Sequence, residues 1–208
     1  KQLNYLIARG ENNAVIGSYI SRSQLKYGVN IKNPFCSEPL KYARTSDLRP
    51  KCDFQNVFVE GVRHILDSDT VQTMAQPLLT NGTQTSGNVF TQLGDVTDKI
   101  QDIIRVEIEN YRKHFSQSSE GFIRAWPSDY TIYGWVVSMK NGGKLASHMH
   151  EKGWLSGSVY INVPSNLTED SGKFVVCLDE EQDNHRKDRN SKVIDVITGS
   201  LCLFPSSL

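Results

Sequence analysis

The chain has 208 residues, enough for one sizeable domain with additional helices. Its 23 basic and 23 acidic residues balance to a formal net charge of zero, which argues against a general attraction to nucleic acid or anionic membranes. No apolar run approaches the roughly 20 residues that span a bilayer, and the first residues carry no signal-peptide pattern. The composition therefore predicts a soluble, cytoplasmic protein that binds neither nucleic acid nor membranes.

The cysteine pattern favours the same compartment. The four cysteines show no CxxC spacing, and two of them lie in apolar, strand-like runs where a thiol behaves as a small hydrophobic group. Free thiols are typical of a reducing environment. We therefore expect no structural disulfide among Cys36, Cys52, Cys177 and Cys202.

Residues 1–53 are predicted to form an N-terminal helical extension and connector. The first part has helix-like apolar spacing that is interrupted at Gly10 and Gly17. Residues 30–53 contain three prolines among polar residues, which indicates an irregular connection. From Phe54 to Met74, apolar residues again recur at helical spacing, and this predicts one helix or two short ones.

The clearest helix is predicted from Val96 to Phe115. Its apolar side chains form one stripe, which is typical of a helix that packs on a sheet. Asp95 or Thr97 is placed to cap its start. The stripe consists of Ile100, Ile103, Ile104, Ile108, Tyr111 and Phe115.

After Trp126 and Pro127 the pattern changes to strands. Short β-branched or aromatic runs alternate with Gly, Pro, Asn or Asp, which predicts a β-rich second half. The hydrophilic segment 180–192 is interpreted as a solvated loop rather than a lid. The predicted strands are 130–139, 155–163, 174–178, 193–197 and 200–204, and the glycines interpreted as turns near a metal are Gly142, Gly143, Gly153 and Gly157.

Two histidines one residue apart, His148 and His150, are the strongest indication of chemistry. Residues i and i+2 of a strand point to the same side, so this pair can present two imidazoles to one metal ion. The alternative is a polar strand end whose rings bond to neighbouring carbonyls. We interpret His64 and His114 in helices, and His185 in the charged loop, as surface or packing residues.

The segment LASHMHEKGWLSGSVYINVP (145–164), together with VIDVITGSLCLFPSSL (193–208), resembles the Fe(II)/2-oxoglutarate oxygenases. The most similar branch carries H-x-H-x-x-x-W-L-S-G-x-x-Y and G-x-L-x-L-F-P-S-x-L and is sometimes attached to helical repeats. The likeness spans Asn81–Leu208. It implies an α+β, mainly β fold, in which residues 54–208 form a double-stranded β-helix (jelly-roll, cupin-like) with supporting and packed N-terminal helices.

The resemblance also implies a 2-oxoglutarate-dependent dioxygenase of the hydroxylase type, which uses Fe(II) and releases succinate and CO2. His148 and His150 are then metal ligands, with Glu151 as a substitute for His150. The third ligand, a histidine, and an arginine for 2-oxoglutarate are expected beyond Leu208; otherwise the protein has lost its third ligand. The substrate is a small molecule or a protein side chain.

For 2-oxoglutarate, the resemblance points to Tyr160 and Ser138, either of which is alternatively a cross-strand packing residue. Trp154 and Trp135 either wall the pocket or belong to the core. Two other functions stay open. One is a cupin-like barrel that binds a metal or small ligand without 2-oxoglutarate chemistry, and the other is a structural partner of upstream helical repeats.

Overall fold

The computed structural model describes residues 2–165, 172–178 and 190–208. It divides into two compact units, each built from segments that are distant in sequence. The predicted division into residues 1–53 and 54–208 stays a prediction. The first unit comprises Lys1–Ser46, Tyr111–Pro127 and His148–Leu208, and the second comprises Asp47–Asn110 and Ser128–Ser147.

Helices and short strands alternate through the described residues. The α-helices are α1 (Gln2–Ala8), α2 (Ala14–Tyr27), α3 (Gly61–Asp67), α4 (Asp95–His114) and α5 (Gly121–Arg124). The strands are β1 (Arg44–Asp47), β2 (Thr73–Met74), β3 (Leu79–Thr85), β4 (Val137–Leu145), β5 (Leu155–Val159), β6 (Phe174–Cys177), β7 (Ser191–Ile194) and β8 (Ser200–Pro205). Two 3-10 turns (Pro39–Tyr42 and Val89–Thr91) and a π-helix (Gln55–Glu60) complete the set.

In the first unit, the break between α1 and α2 falls at Gly10, as the sequence predicted. This glycine adopts a positive φ of 82° between the two helices, a conformation that glycine reaches without steric cost. Asn13 then caps α2, because its Oδ1 accepts a hydrogen bond from the Ile16 amide at 3.0 Å.

The second predicted break, at Gly17, is wrong, since Gly17 lies inside α2. A Cβ at this position would lie 3.0 Å from the Cβ of Phe35, so the missing side chain allows Phe35 to pack directly on the helix. Asn33 secures the contact by donating from Nδ2 to the Gly17 carbonyl at 2.9 Å and to Ser21 Oγ at 3.1 Å. Spacing alone does not distinguish a glycine of this kind from a helix breaker.

An aromatic cluster forms the centre of the first unit, around the fully buried Phe122 of α5. Its ring centroid lies 5.5 Å from that of Phe35, 5.6 Å from that of Trp126 and 6.2 Å from that of Tyr111. These separations are in the range of favourable aromatic pairs. The cluster therefore ties together segments from three parts of the chain. Its members are Phe35, Tyr42, Tyr111, Phe115, Phe122, Trp126 and Trp154.

Tyr111 contributes a buried hydrogen bond to this cluster. Its hydroxyl donates to the carbonyl oxygen of Tyr42 at 2.6 Å, and burial raises the pKa of the phenol, so the donor stays protonated. Tyr111→Phe should lower the free energy of unfolding by about 1–2 kcal/mol, because the carbonyl loses its donor. Chemical denaturation measures the change. Tyr19→Phe is the matched control, since Tyr19 is 59% exposed; equal stability of the two variants would contradict the prediction.

Two sheets belong to the first unit. One has the strand order β1-β8-β5, with β5 and β8 antiparallel, so that Ser156 lies opposite Phe204 and Ser158 opposite Cys202. The other is the antiparallel pair of β6 and β7. A core cluster of Ala43, Val176, Ile194, Val196, Cys202 and Leu208 packs beside these strands. The buried side chains of β8 explain why its sequence is apolar almost throughout.

Of the two helices predicted between Phe54 and Phe115, the first is confirmed only as far as Asp67, since Thr73–Met74 forms β2 instead. The π-helix runs directly into α3, so residues 55–67 form one continuous helical segment. The long helix predicted from Val96 to Phe115 is α4, displaced by one residue. A Cβ on Gly61 would lie 3.3 Å from Cδ1 of Ile100, which shows that α3 and α4 approach closely at this glycine.

The strand predicted from Tyr130 to Met139 begins only at Val137 and continues to Leu145. The interpretation of Gly142 and Gly143 as a turn is therefore wrong. They lie within β4, opposite an irregularity in its pairing with β3, and Gly142 has a φ of 73°. The same interpretation of Gly157 is also wrong, because Gly157 lies within β5. A bulge accommodates such a residue without ending the strand.

The described elements confirm the α+β class, because helices occur together with antiparallel strand pairs. After Trp126 the described elements are all strands, as the change in period predicted. The four cysteines are free thiols. Within the described ranges, no helix is long and apolar enough to cross a membrane.

Candidate metal centre

His148 and His150 lie in the connection between the end of β4 and the start of β5. Their ring centroids are 5.1 Å apart and the ring planes are inclined by 59°. Both side chains are partly buried. The predicted proximity of the two imidazoles is therefore present, although the residues lie in an irregular segment rather than on the strand itself.

A turn follows the pair directly. The Gly153 amide donates to the His150 carbonyl at 2.8 Å, which places Glu151 on the exposed outside of the turn. The chain then enters β5. This arrangement holds the His150 backbone between a closed turn and a paired strand.

The His150 ring is held by a serine. Its Nδ1 forms a hydrogen bond with Ser156 Oγ at 3.0 Å, and Ser156 Oγ bonds in turn to Ser206 Oγ at 2.7 Å. Ser156 is 5% exposed and Ser206 is fully buried. Because Nδ1 is engaged by Ser156, the buried Nε2 is the nitrogen of His150 that a metal would take.

The electrostatic environment favours the neutral imidazole. Burial lowers the pKa of His150, and the nearby His148 ring lowers it further. A metal binds the unprotonated nitrogen of a neutral ring, so the protein environment stabilises the state that coordinates a cation.

Trp154 belongs to the core, the second of the two interpretations considered for it. Its Nε1 donates to the Phe122 carbonyl at 2.9 Å, and its ring packs edge-on against Phe35 with centroids 5.0 Å apart. The W-L-S-G motif thus combines two roles, because Trp154 anchors the segment in the aromatic cluster and Ser156 reaches the His150 ring.

The two residues predicted to bind 2-oxoglutarate have different environments. Tyr160 directly follows β5, its ring lies 6.3 Å from that of Phe174, and burial raises the pKa of its phenol. Ser138 lies on β4 opposite Thr83 and is exposed. Their roles stay predictions.

The other histidines lie where the sequence predicted, as far as they are described. His64 is on α3 and His114 on α4, and both are exposed. His185 lies outside the described residues, as does most of the charged segment 180–192. Among the described residues, no group of three or more His, Cys, Asp or Glu side chains is arranged to hold a metal ion.

Sequence reasoning missed Ser156 and Ser206 as site residues. Both stand inside the motifs that carried the resemblance, W-L-S-G and L-F-P-S, so a signal was present. Its meaning depends on the register of β5 with β8, which brings together two serines fifty positions apart. Because these two strands are far apart in the chain, neither motif by itself reveals which residues of the two strands lie opposite each other.

The donor set fits two positions of a non-haem iron site. Imidazole nitrogen is a ligand that Fe(II) accepts, and two adjacent neutral rings leave further positions open for a third ligand, a bidentate 2-oxo acid and O2. His148 and His150 would hold the ion, with Ser156 behind His150.

A protein-family model described as "Putative 2OG-Fe(II) oxygenase" matches residues 133–208, a little more than a third of the chain. The match contains both motifs and both histidines, and it confirms the resemblance to this superfamily over that segment. The part of the likeness from Asn81 to residue 132 lies outside the match. Neither a curated protein nor a solved structure was found to match the chain.

Proposed function

We propose that the protein is a non-haem Fe(II), 2-oxoglutarate-dependent dioxygenase that hydroxylates a small molecule or a protein side chain and releases succinate and CO2. The observation that carries the proposal is the paired imidazoles of His148 and His150, with Ser156 bonded to Nδ1 of His150. The family match over residues 133–208 supports the oxygenase class.

The double-stranded β-helix is part of this proposal. The pairing of β5 with β8 supports it, because these strands carry the two motifs of the resemblance and lie side by side. The third ligand in the proposal is a histidine that follows the L-F-P-S-x-L strand, and an arginine beyond it pairs with the co-substrate carboxylate.

When bound, Fe(II) supplies the activation of O2 that is coupled to oxidative decarboxylation of 2-oxoglutarate and hydroxylation of a C–H bond. The residues of the chain orient the bound groups and exclude water from them. His148 and His150 would provide two ring nitrogens, Ser156 fixes the His150 ring, and Trp154 anchors the connecting turn in the aromatic cluster.

Tyr160 is the preferred residue for the far carboxylate of 2-oxoglutarate. Burial keeps its phenol protonated, so its hydroxyl can donate a hydrogen bond to an anionic oxygen. Ser138 is the second candidate, since its exposed hydroxyl on β4 is open to a ligand.

Anaerobic titration of the full-length gene product with Fe(II) and 2-oxoglutarate tests the proposal. We expect a metal-to-ligand charge-transfer absorption that requires both components, because only a chelated 2-oxo acid places its carbonyl on the iron. Succinate, which lacks the 2-oxo group, is the control ligand. Metal binding without this absorption would contradict the proposal and favour a cupin-like binding barrel; no metal binding would favour a structural role.

A further inference from the structure

Three side chains form a hydrogen-bonded row: the partly buried His150 and the buried Ser156 and Ser206. The two hydrogen bonds along it measure 3.0 Å and 2.7 Å. Ser156 and Ser206 are 5% and 0% exposed. Burying a hydroxyl group lowers stability unless the group forms a hydrogen bond. The two hydrogen bonds of this row therefore offset the burial of both serine hydroxyls.

The row depends on the pairing of β5 with β8. Leu155 lies opposite Pro205 at the end of the ladder, and the Ser206 amide continues the pairing by donating to the Trp154 carbonyl at 3.2 Å. Ser206 is thereby held beside Ser156, whose hydroxyl bonds to the His150 ring. The pairing of the two strands thus brings both serines to His150.

Gly153 provides the space for this arrangement. A Cβ on Gly153 would lie 2.5 Å from Ser206 Oγ, which is closer than real Cβ contacts, and 3.1 Å from Ser206 Cβ and 3.2 Å from the His150 carbonyl oxygen. Any other residue would therefore displace the Ser206 side chain. The absence of a side chain at position 153 therefore leaves room both for the Ser206 side chain and for the turn that the His150 carbonyl closes.

The direction of the two hydrogen bonds decides which ring nitrogen is available. If the Ser156 hydroxyl donates to Nδ1, the neutral ring carries its proton on Nε2 and that nitrogen cannot coordinate. If Nδ1–H donates to Ser156, Ser156 is free to donate to Ser206, and Nε2 presents its lone pair. A hydroxyl that donates onward is also a better acceptor, because the dipoles along the row reinforce one another.

We propose that Ser156 and Ser206 are positioning residues: Ser156 accepts a hydrogen bond from Nδ1–H of His150 and donates one to Ser206, which leaves Nε2 of His150 unprotonated and available to a metal. The identity of that metal rests on the proposed function. The tautomer of His150 does not depend on it. Metal-bound histidines generally donate their other N–H to an oxygen acceptor that fixes the ring. Here the acceptor is the Ser156 hydroxyl, which in turn forms a hydrogen bond with Ser206.

The tautomer can be measured without any metal. In protein labelled with ¹⁵N-histidine, the two ring nitrogens of His150 have distinct chemical shifts, and His150→Gln assigns them. We expect the Nδ1–H form in the wild type. Ser156→Ala should move the ring towards the Nε2–H form that an imidazole prefers in water, and Ser206→Ala should move it part of the way.

Co(II) titration provides the second readout, because its visible absorption reports binding directly. We expect Ser156→Ala to weaken Co(II) binding by about 10–100-fold, as for other partners of metal ligands, with a smaller loss in Ser206→Ala. Gly153→Ala should act in the same direction by displacing Ser206.

Ser207→Ala is the control for the serine variants. Ser207 is 2% exposed, but its hydroxyl bonds to no described residue, so we expect an unchanged tautomer and affinity. The inference would be overturned if the His150 ring of the wild type were in the Nε2–H form. It would also be overturned if the ring had the same tautomer in the wild type, in Ser156→Ala and in Ser206→Ala. A wild-type protein that shows the expected tautomers but binds no Co(II) would overturn the proposed function while upholding the role of the serines.

Discussion

His148→Ala should abolish most of the affinity of the protein for Fe(II). We expect a loss of at least about 100-fold, because removal of a ligand costs more than removal of a residue that only supports one. His150→Ala should have a comparable effect, since its ring is the one that Ser156 holds. The measurement is anaerobic Fe(II) binding, followed through the charge-transfer absorption in the presence of 2-oxoglutarate.

The control for these variants is His64→Ala. His64 lies exposed on α3, so the substitution removes the same chemical group from a helix that carries neither of the paired histidines. We expect wild-type affinity in this variant. If His148→Ala binds Fe(II) within about tenfold of the wild type, the ion is held elsewhere and the assignment of His148 is wrong.

Phe122→Ala should be the most destabilising substitution in the aromatic cluster. Phe122 is fully buried and its ring contacts several other rings, including those of Phe35, Trp126 and Trp154. Truncation removes these contacts and leaves a cavity, so we expect a loss of about 3–5 kcal/mol in the free energy of unfolding. Chemical denaturation followed by near-ultraviolet circular dichroism reports directly on the packing of these rings.

Two comparisons make this measurement specific. Phe122→Leu keeps most of the buried volume and should lose less than half as much stability, because a branched aliphatic side chain partly fills the site. Tyr19→Ala removes a ring that is 59% exposed and should change stability by no more than about 0.5 kcal/mol. A loss below about 1 kcal/mol in Phe122→Ala would mean that the cluster is not the centre of the first unit.

The site was accessible from the sequence only in part. His148 and His150 stand one residue apart, and two motifs frame them, so a resemblance pointed to the pair and to its chemistry. The sequence offers Glu151 as a substitute for His150, and its side chain is exposed on a turn. The support for the His150 ring was not predicted, since it comes from Ser206, which is distant in sequence.

Glycines show the same limit in the fold. Gly10 and Gly17 have the same local signature, yet one separates two helices and the other lies inside a helix against Phe35. Gly142 and Gly143 resemble a turn but form a bulge in β4. In each case the outcome depends on what packs against the backbone, and the neighbour is contributed by another part of the chain.

The sequence by itself determined the features that depend on near neighbours along the chain. The apolar stripe of α4 follows from the helical period, and the strands after Trp126 follow from short β-branched runs between turn residues. Only the tertiary structure decided the register of β5 with β8, the packing of Trp154 in the core, and the row from His150 through Ser156 to Ser206. Hydrogen bonds and ring contacts act over a few ångströms in space, and distance along the chain does not reveal which residues will come within that range.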